Sequence, residues 1–232
     1  MEDCKLRKAI LIQSRLSSSR FPKKMVQKLG DRTLVEYVYQ RCLQSEIADQ
    51  VIVITSTDTS DDELYNLCNE KNIPVCRGSL NDVLKRYIDC AVHAQATIVC
   101  RVCGDSPFVD MDAIDQGFKL FDSDKTLEYV STENSLNGFM SEIIRVDVLQ
   151  RIHSFQLNDS DKEHVTKYIR DNKEKFSTFL LNLDLCPIHL KNYTLTIDYE
   201  NDLKIANFII NHLKCVSFKS SDIIEILNKI EG

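Results

Sequence analysis

No apolar run in this 232-residue chain approaches the roughly 18 residues that a membrane-spanning helix requires. The opening stretch, Met1-Glu2-Asp3-Cys4-Lys5-Leu6-Arg7, lacks the basic flank and apolar segment of a secretory signal. A cytoplasmic protein with no membrane attachment is the expectation. Glycine and proline are sparse, at 6 and 4 residues, and no stretch rich in Gly, Pro or Ser marks a linker. Internal repeats and low-complexity segments are absent too. So are the Walker A and G-x-G-x-x-G phosphate-binding patterns.

An excess of positive charge is also missing. The formal net charge of −6 argues against a general nucleic-acid binder, because a phosphate backbone is held mainly by surplus Lys and Arg. Nine cysteines are present, but they are scattered, odd in number and mostly embedded in apolar periodic segments, so reduced core thiols are expected. Cys100 and Cys103 form a C-x-x-C with no second Cys/His pair at ligand spacing to complete a zinc site.

What is present is 43% hydrophobic content, enough to build the core of one large domain. Ala9-Ile10-Leu11-Ile12 and Val51-Ile52-Val53-Ile54 are short continuous apolar runs, the pattern of strands buried on both faces of a parallel sheet. Ile73–Cys76 and Ile98–Val102 continue the series. Thr33-Leu34-Val35-Glu36 and Ser60-Asp61-Asp62-Glu63 have the form of capping boxes and so mark helix starts. A further helix is expected from Asn81 to Ala94. These alternations predict a doubly wound, Rossmann-like α/β half over residues 1–105, whose ligands sit beyond the carboxyl ends of the strands. Later elements are predicted as a strand near Ile143-Ile144, helices at Asp147–His153 and Asp161–Asn172, strands at Phe176–Leu183 and Tyr193–Ile197, and two terminal helices.

The charge is unevenly spread. Between Lys5 and Arg41 the basic residues are Lys5, Arg7, Lys8, Arg15, Arg20, Lys23, Lys24, Lys28, Arg32 and Arg41, against Asp31 and Glu36 alone. A local cationic site on an acidic protein suits a small polyanion better than a long one. Directly after the first strand comes Gln13-Ser14-Arg15-Leu16-Ser17-Ser18-Ser19-Arg20-Phe21-Pro22-Lys23-Lys24. Its small hydroxyl residues permit close approach, and its cations can offset phosphate charge. On composition alone a solvated basic loop is an equal reading. Asp105 and Asp198 each follow an apolar strand, where a carboxylate either holds a hard cation or caps a turn. Asp110-Met111-Asp112 has a D-x-D form that some glycosyltransferases use for metal, but it stands at a helix start, where capping is the simpler role.

Arg15, Ser17, Ser18, Ser19, Arg20, Pro22 and Lys24 resemble the R-x-x-S-x-R-x-P-x-K signature of cytidylyltransferases, with the spore-coat polysaccharide cytidylyltransferase-like family the nearest match. Further marks follow in order: Arg77-Gly78-Ser79-x-x-Asp82-Val83-Leu84-x-Arg86-Tyr87, Arg101-x-x-Gly104-Asp105-x-Pro107, Glu163-His164-Val165-Thr166 and Leu195-Thr196-Ile197-Asp198. The resemblance spans roughly residues 8 to 205 and departs from the family at Ser17, usually Gly, and Ser106, commonly Cys.

The resemblance implies one nucleotidyltransferase domain with a mixed sheet of the nucleotide-diphospho-sugar transferase (GT-A-like) type. Residues 1–105 would be its nucleotide-binding half and residues 106–232 its acceptor-binding, metal-completing half. It implies CTP as the nucleoside triphosphate and a small sugar-like acceptor, with Arg15, Lys24 and Asp105 as catalytic residues. Mg²⁺, with Mn²⁺ as a substitute, would lie on Asp105 and Asp198. The nucleotide would contact Ser17, Ser18, Ser19, Arg20, Arg77, Ser79, Asp82 and Gly104, and the acceptor Glu142, His164 and Thr166. A homodimer is the assembly implied. Taken alone, Asp82 reads equally as a helix cap, Arg77 as a surface ion pair and His164 as a structural or exposed histidine. A metal-dependent glycosyltransferase and a non-catalytic nucleotide-binding module are the rival functions.

Overall fold

The computed structural model describes residues 6–191 and 193–231. Met1 to Lys5 lie outside it, and with them the expectations for the leader stretch, Cys4 and Lys5. In chain order the strands are β1 (Lys8–Gln13), β2 (Lys28–Leu29), β3 (Arg32–Thr33), β4 (Gln50–Ser56), β5 (Val75–Gly78), β6 (Ile98–Cys103), β7 (Tyr129–Ser135), β8 (Glu142–Arg145) and β9 (Thr178–Leu185). The helices are α1 (Leu34–Cys42), α2 (Asp62–Glu70), α3 (Val83–His93), α4 (Met111–Ser123), α5 (Val146–His153), α6 (Asp159–Glu163), α7 (Lys167–Asp171), α8 (Glu200–Leu213) and α9 (Ser220–Glu231).

Seven strands form a mixed sheet in the order β5-β4-β1-β6-β8-β7-β9. Strands β5, β4, β1 and β6 run parallel, β8 is antiparallel to both β6 and β7, and β9 runs parallel to β7. The side-chain alternation of β1 shows why both faces must be covered. Ile10 and Ile12 pack with apolar residues of α1, α2, α4, α8 and α9, whereas Ala9 and Leu11 pack with those of α3, α5 and α7. The result is the doubly wound α/β sheet expected from the sequence. Its parallel strands place the chain ends of β1, β4, β5 and β6 on one rim.

Local chemistry decides which boundaries hold. The capping box at α1 forms: Thr33 N–H donates to Glu36 Oε2 at 2.8 Å and Glu36 N–H to Thr33 Oγ1 at 3.5 Å. The one expected at Ser60–Glu63 does not. Asp58 accepts from Ser60 N–H instead, while Asp61 is buried and accepts from Ser56 Oγ at 2.5 Å and Leu16 N–H at 2.7 Å. Asp61 thereby anchors the first loop to β4. The helix expected over Asp161–Asn172 is split into α6 and α7 at His164–Thr166. There buried Val165 sits at φ 22°, in the left-handed region that a β-branched residue rarely enters. Tyr193–Ile197 is not a strand; it contributes a single bridge, Thr194 to Asn137. Strand β7 had no counterpart in the sequence reading. Among the described cysteines, Cys42, Cys68, Cys90 and Cys100 are core thiols as expected, but Cys76, Cys103 and Cys186 are half-buried and Cys215 is exposed.

One buried cation ties the fold's outer layer together. Arg41 of α1 is 3% exposed. It donates through Nε to the Val109 carbonyl at 3.1 Å and through Nη1 to the Val216 carbonyl at 3.0 Å, with its guanidinium 3.7 Å from the centre of the Phe218 ring. Arg41→Ala orphans two carbonyls and removes a desolvated cation–π contact, so we expect a loss of about 2–4 kcal/mol in unfolding free energy. Urea titration checks this, and a loss below about 1 kcal/mol would show that the contacts carry little of the stability.

Candidate functional site

The loop from Ser14 to Lys23 follows β1 at the carboxyl rim of the sheet. It is held by its own apolar residues, since Leu16 and Phe21 are buried, and by the donation of Ser18 N–H and Lys23 N–H to the Leu16 carbonyl at 2.9 and 3.0 Å. The three serines are thus wound into a compact turn. Lys23, at φ 56°, then reverses the chain so that Lys24 points back beneath the loop.

Lys24 is 7% exposed. Its ammonium donates to Asp105 Oδ2 at 2.7 Å, to the Ile197 carbonyl at 2.8 Å and to Asp198 Oδ1 at 3.1 Å. Arg20 Nη2 donates to the same Asp198 oxygen at 2.7 Å. A backbone bond sets this convergence: Ile197 N–H donates to the Asp105 carbonyl at 2.8 Å, docking two segments far apart in sequence. Gly104 is required here by close approach. A Cβ at that position would collide with Ser14 Oγ and lie 3.0 Å from the Gln13 carbonyl oxygen.

Arg15, Ser17, Ser18, Ser19, Arg20, Lys24, Asp105 and Asp198 line one cleft of about 270 Å³. A second cleft, of about 430 Å³, shares Asp105 and Cys103 with it and is walled by Arg101, Tyr129, Glu142, Arg170 and Thr196. A third, of about 520 Å³, shares Arg15, Ser17 and Glu163 and carries Ser79, Asn81 and Asp82. The phosphate-sized space therefore adjoins a larger cleft on either side. A larger cavity, of about 710 Å³, lies elsewhere, beside Gln50, Val51 and Pro74 at the opposite ends of the strands, away from the rim where α/β sheets bind ligands.

Not every sequence-selected residue reaches this site. Arg77 does not: its Nε donates to the Ser56 carbonyl at 2.6 Å, its Nη2 to the Asp58 carbonyl at 2.9 Å, and it pairs with Asp62 at 2.7 Å, bracing the turn after β4. Asp82 lines the third cleft but also caps α3, accepting from Lys85 N–H at 2.8 Å, and its other oxygen meets His153 Nε2 at 3.0 Å. Ser79 Oγ accepts from Asp82 N–H. His164 is exposed at the end of α6 and lines none of the three clefts. Thr166 is buried and donates to Glu142 Oε1 at 2.8 Å. Glu142 itself is occupied by Arg101 at 2.8 Å, Tyr129 at 2.5 Å and Arg170 at 3.2 Å. Burial alone would push its carboxyl pKa up; the Arg101 charge and the Tyr129 hydroxyl, with Arg170 and Thr166, outweigh it and hold the group ionised below the usual range. Asp110 caps α4, accepting from Ala113 N–H at 2.8 Å, which accounts for the Asp110-Met111-Asp112 triplet.

Glu163 and Arg86, both among the residues that carry the resemblance, also line the first cleft. Glu163 pairs loosely with Arg15 at 3.7 Å. Arg86 is 2% exposed. The signal for it was legible, since three residues after Val83 it falls on the apolar stripe that Val83, Leu84 and Tyr87 give α3, an unusual place for a cation.

The chain is similar to known proteins over nearly its whole length. The family model described as cytidylyltransferase matches residues 9–230. An uncharacterized protein of Methanocaldococcus jannaschii is 32% identical over 94% of this chain and 89% of its own. The spore coat polysaccharide biosynthesis protein SpsF of Bacillus subtilis is 28% identical over 94% of this chain and 93% of its own. Among solved structures, a cytidylyltransferase from Leptospira borgpetersenii superposes with a TM-score of 0.91 at 28% identity, covering 98% of this chain and 96% of its own. The chain belongs to the cytidylyltransferase family and is, as such, a CTP-dependent nucleotidyltransferase.

Proposed function

We propose that this protein transfers CMP from CTP to a sugar acid or related sugar or polyol acceptor, releasing pyrophosphate, in cell-surface polysaccharide biosynthesis. The observation that carries the reading is the meeting of Asp105 and Asp198 on one cationic atom, Lys24 Nζ, in a serine- and arginine-lined cleft that adjoins a second cleft through Asp105. The polysaccharide context draws on the likeness to SpsF, named for spore-coat polysaccharide biosynthesis. On this reading residues 1–105 hold the nucleotide and residues 106–232 complete the metal site and hold the acceptor.

The pair of carboxylates fits a hard divalent cation. Two oxygens already approach one positive centre, and no group of three or more His, Cys, Asp or Glu side chains forms a closed metal cage among the described residues. Such an open site suits Mg²⁺ or Mn²⁺, which keeps waters and takes phosphate oxygens as further ligands. Held by Asp105 and Asp198, the ion would supply charge neutralisation and polarisation at the α-phosphoryl group. The chain's own residues do the rest. The turn of Ser17, Ser18 and Ser19 lets phosphate approach closely, and Arg15 and Arg20 offset its charge. Lys24 holds the two carboxylates in register and faces the departing pyrophosphate. In the second cleft the acceptor meets Arg101, Arg170 and Thr196, with Glu142 fixing the two arginines. His164, exposed at the end of α6, is not among the residues that line this cleft.

Pyrophosphate release, followed for each of the four nucleoside triphosphates against a panel of sugar acids, tests the reaction directly. A glycosyltransferase releases none, and a silent binding module turns nothing over. We expect CTP and Mg²⁺ or Mn²⁺ to be required, and Asp105→Asn and Asp198→Asn each to lower turnover about 100-fold or more while both variants remain folded. Full activity in chelator would remove the metal from the site.

Lys24→Ala separates the leaving-group role from simple nucleotide binding. An interaction that strengthens as charge builds on pyrophosphate appears in turnover, whereas uniform binding appears in KM. The expected result is a fall in turnover of about 100-fold or more, with CMP affinity changed by less than about 3-fold. Normal turnover with collapsed CMP affinity would place Lys24 at the nucleoside end instead.

A further inference from the structure

Arg86 is among the largest fully buried side chains, at 2% exposure, yet its guanidinium makes no hydrogen bond to the described residues. Nε and Nη1 are enclosed without partners, which leaves Nη2 as the nitrogen at the surface of the first cleft, where Arg86 stands beside Ser14, Arg15 and Val83. Nη2 shares one edge of the guanidinium with Nε and the other with Nη1, so an acceptor seated at either edge also reaches one enclosed donor. Gly78 makes room for this pose: a Cβ there would lie 2.9 Å from Arg86 Cγ and 3.1 Å from its Cβ. Ser14 Oγ, on the same cleft, is a second buried polar atom without a partner. Buried donors left unpaired cost free energy, and a cleft that retains two such side chains is built for a ligand that brings acceptors.

The charge around Arg86 says which acceptors. Desolvation lowers the pKa of its guanidinium and the charge of Arg15 lowers it further, against the opposing influence of Tyr87 and Asp61. Asp61 offers charge but no bond, because its oxygens serve Leu16 N–H, Ser56 Oγ and Ser56 N–H. Arg15 has only the exposed Glu163, at 3.7 Å. Two guanidiniums therefore face one small cleft with little acid to separate them, and an anion between them relieves the repulsion. The orientation of the reaction says which part of the nucleotide this is. On the proposed reading the α-phosphoryl group sits at Asp105 and Asp198, and Asp105 belongs also to the second cleft, where the acceptor lies. Attacking and leaving oxygens at phosphorus stand roughly in line. An acceptor entering from the second cleft thus drives pyrophosphate away from it, toward the part of the first cleft that Arg15 and Arg86 line and the second does not share.

We propose that Arg86 holds the β- and γ-phosphoryl groups of the nucleotide, donating to their non-bridging oxygens, and stays with them as pyrophosphate leaves. The inference rests on the CTP reading and adds a ligand contact to it. The acceptor oxygen bonds to the α-phosphorus, the bond from that phosphorus to the bridging α,β-oxygen breaks, and its electron pair departs on pyrophosphate; the hydroxyl proton of the acceptor passes to solvent and Arg86 moves none. Arg15, Arg20 and Lys24 must each exchange a carboxylate for phosphate, whereas Arg86 has no bonded acid to give up. Donors fixed in place before charge develops stabilise it without reorganisation.

The test measures equilibrium binding of pyrophosphate, tripolyphosphate and CMP, each with Mg²⁺, and CTP turnover, in wild type, Arg86→Lys and Arg86→Met. Arg86→Lys keeps the positive charge near Asp61 and loses the planar fork, so it remains informative should Arg86→Met, with Asp61 left uncompensated, fail to fold. Pyrophosphate and tripolyphosphate affinity should fall about 10-fold or more in Arg86→Lys, the scale of one charge-assisted hydrogen bond, and at least as far in Arg86→Met. CMP affinity should change by less than about 3-fold, while turnover of CTP falls. Intact pyrophosphate affinity in Arg86→Lys, whatever its melting temperature, makes Arg86 a structural arginine and overturns the proposal. Loss of CMP affinity in parallel with pyrophosphate moves the contact to the α-phosphate or the nucleoside and overturns it as well. Either result leaves the transferase reading standing as long as wild type releases pyrophosphate from CTP. A wild type that binds neither CTP nor tripolyphosphate overturns both readings together.

Discussion

The ammonium of Lys24 is the point on which the site's construction depends. A lysine at 7% exposure is tolerable only if its charge is fully met, because removing an ion from water costs several kcal/mol after relaxation. Asp105, Asp198 and the Ile197 carbonyl meet it at 2.7, 3.1 and 2.8 Å. Those three partners come from the end of β6 and from the segment before α8, which the Ile197–Asp105 backbone bond docks together and the cation bridges a second time. The same requirement shapes the loop above. Lys24 can turn inward because Lys23 adopts φ 56° and because buried Leu16 and Phe21 pin the stretch between β1 and Lys23. Two acids this close would repel each other without Lys24. On the proposed reading, the lysine holds the two acids in a geometry suited to a cation of higher charge.

What the sequence made legible follows from how local the signal was. Continuous apolar runs at Ile10–Ile12 and Val51–Ile54 identify buried strands because nothing but burial on both faces accommodates them. The Thr33 capping box was legible because both of its bonds are made within four residues. The Ser60 box failed for the opposite reason. Asp61 is taken by Ser56 and by Leu16, 45 positions away, and a long-range demand outweighs a short-range pattern. The break at Val165 is of the same kind, since Thr166 turns inward to Glu142, 24 positions earlier. Tyr193–Ile197 alternates like a strand but spends its backbone bonds on Asn137 and Asp105, serving the site rather than the sheet.

The site residues divide along the same line. Those in the first loop and at strand ends could be placed in one region from position alone, because parallel strands deliver their carboxyl ends to a common rim. Arg77 stands at such an end too, but the carbonyls of Ser56 and Asp58 capture its guanidinium. Long side chains can turn either way, and residue type does not say which. Glu142 illustrates the converse case. Directly opposite Arg101 in the sheet register, it belongs to a buried cross-strand pair whose first effect is to hold two arginines at the second cleft.

Every cation of the first loop has an acid: Arg15 has Glu163, Lys23 has Glu63, Arg20 and Lys24 share Asp198, and Lys24 also holds Asp105. At this loop, nucleotide binding on the proposed reading is therefore an exchange of partners, not the filling of an unpaired positive patch. The pairs are unequal in how readily they give way. Arg15 and Glu163 stand 3.7 Å apart with side chains 48% and 51% exposed, and an ion pair so solvated is worth little. Arg20, 55% exposed against a more buried Asp198, is intermediate. Lys24, desolvated and triply bonded, yields last. A phosphate chain would thus first draw off the outer arginines, and Asp198, relieved of Arg20, would keep one cation where it had two. That leaves its carboxylate under-compensated beside Asp105 at the moment phosphate oxygens arrive. On the proposed reading a divalent cation would resolve this excess of negative charge, so that metal and nucleotide would enter through the same rearrangement of charge.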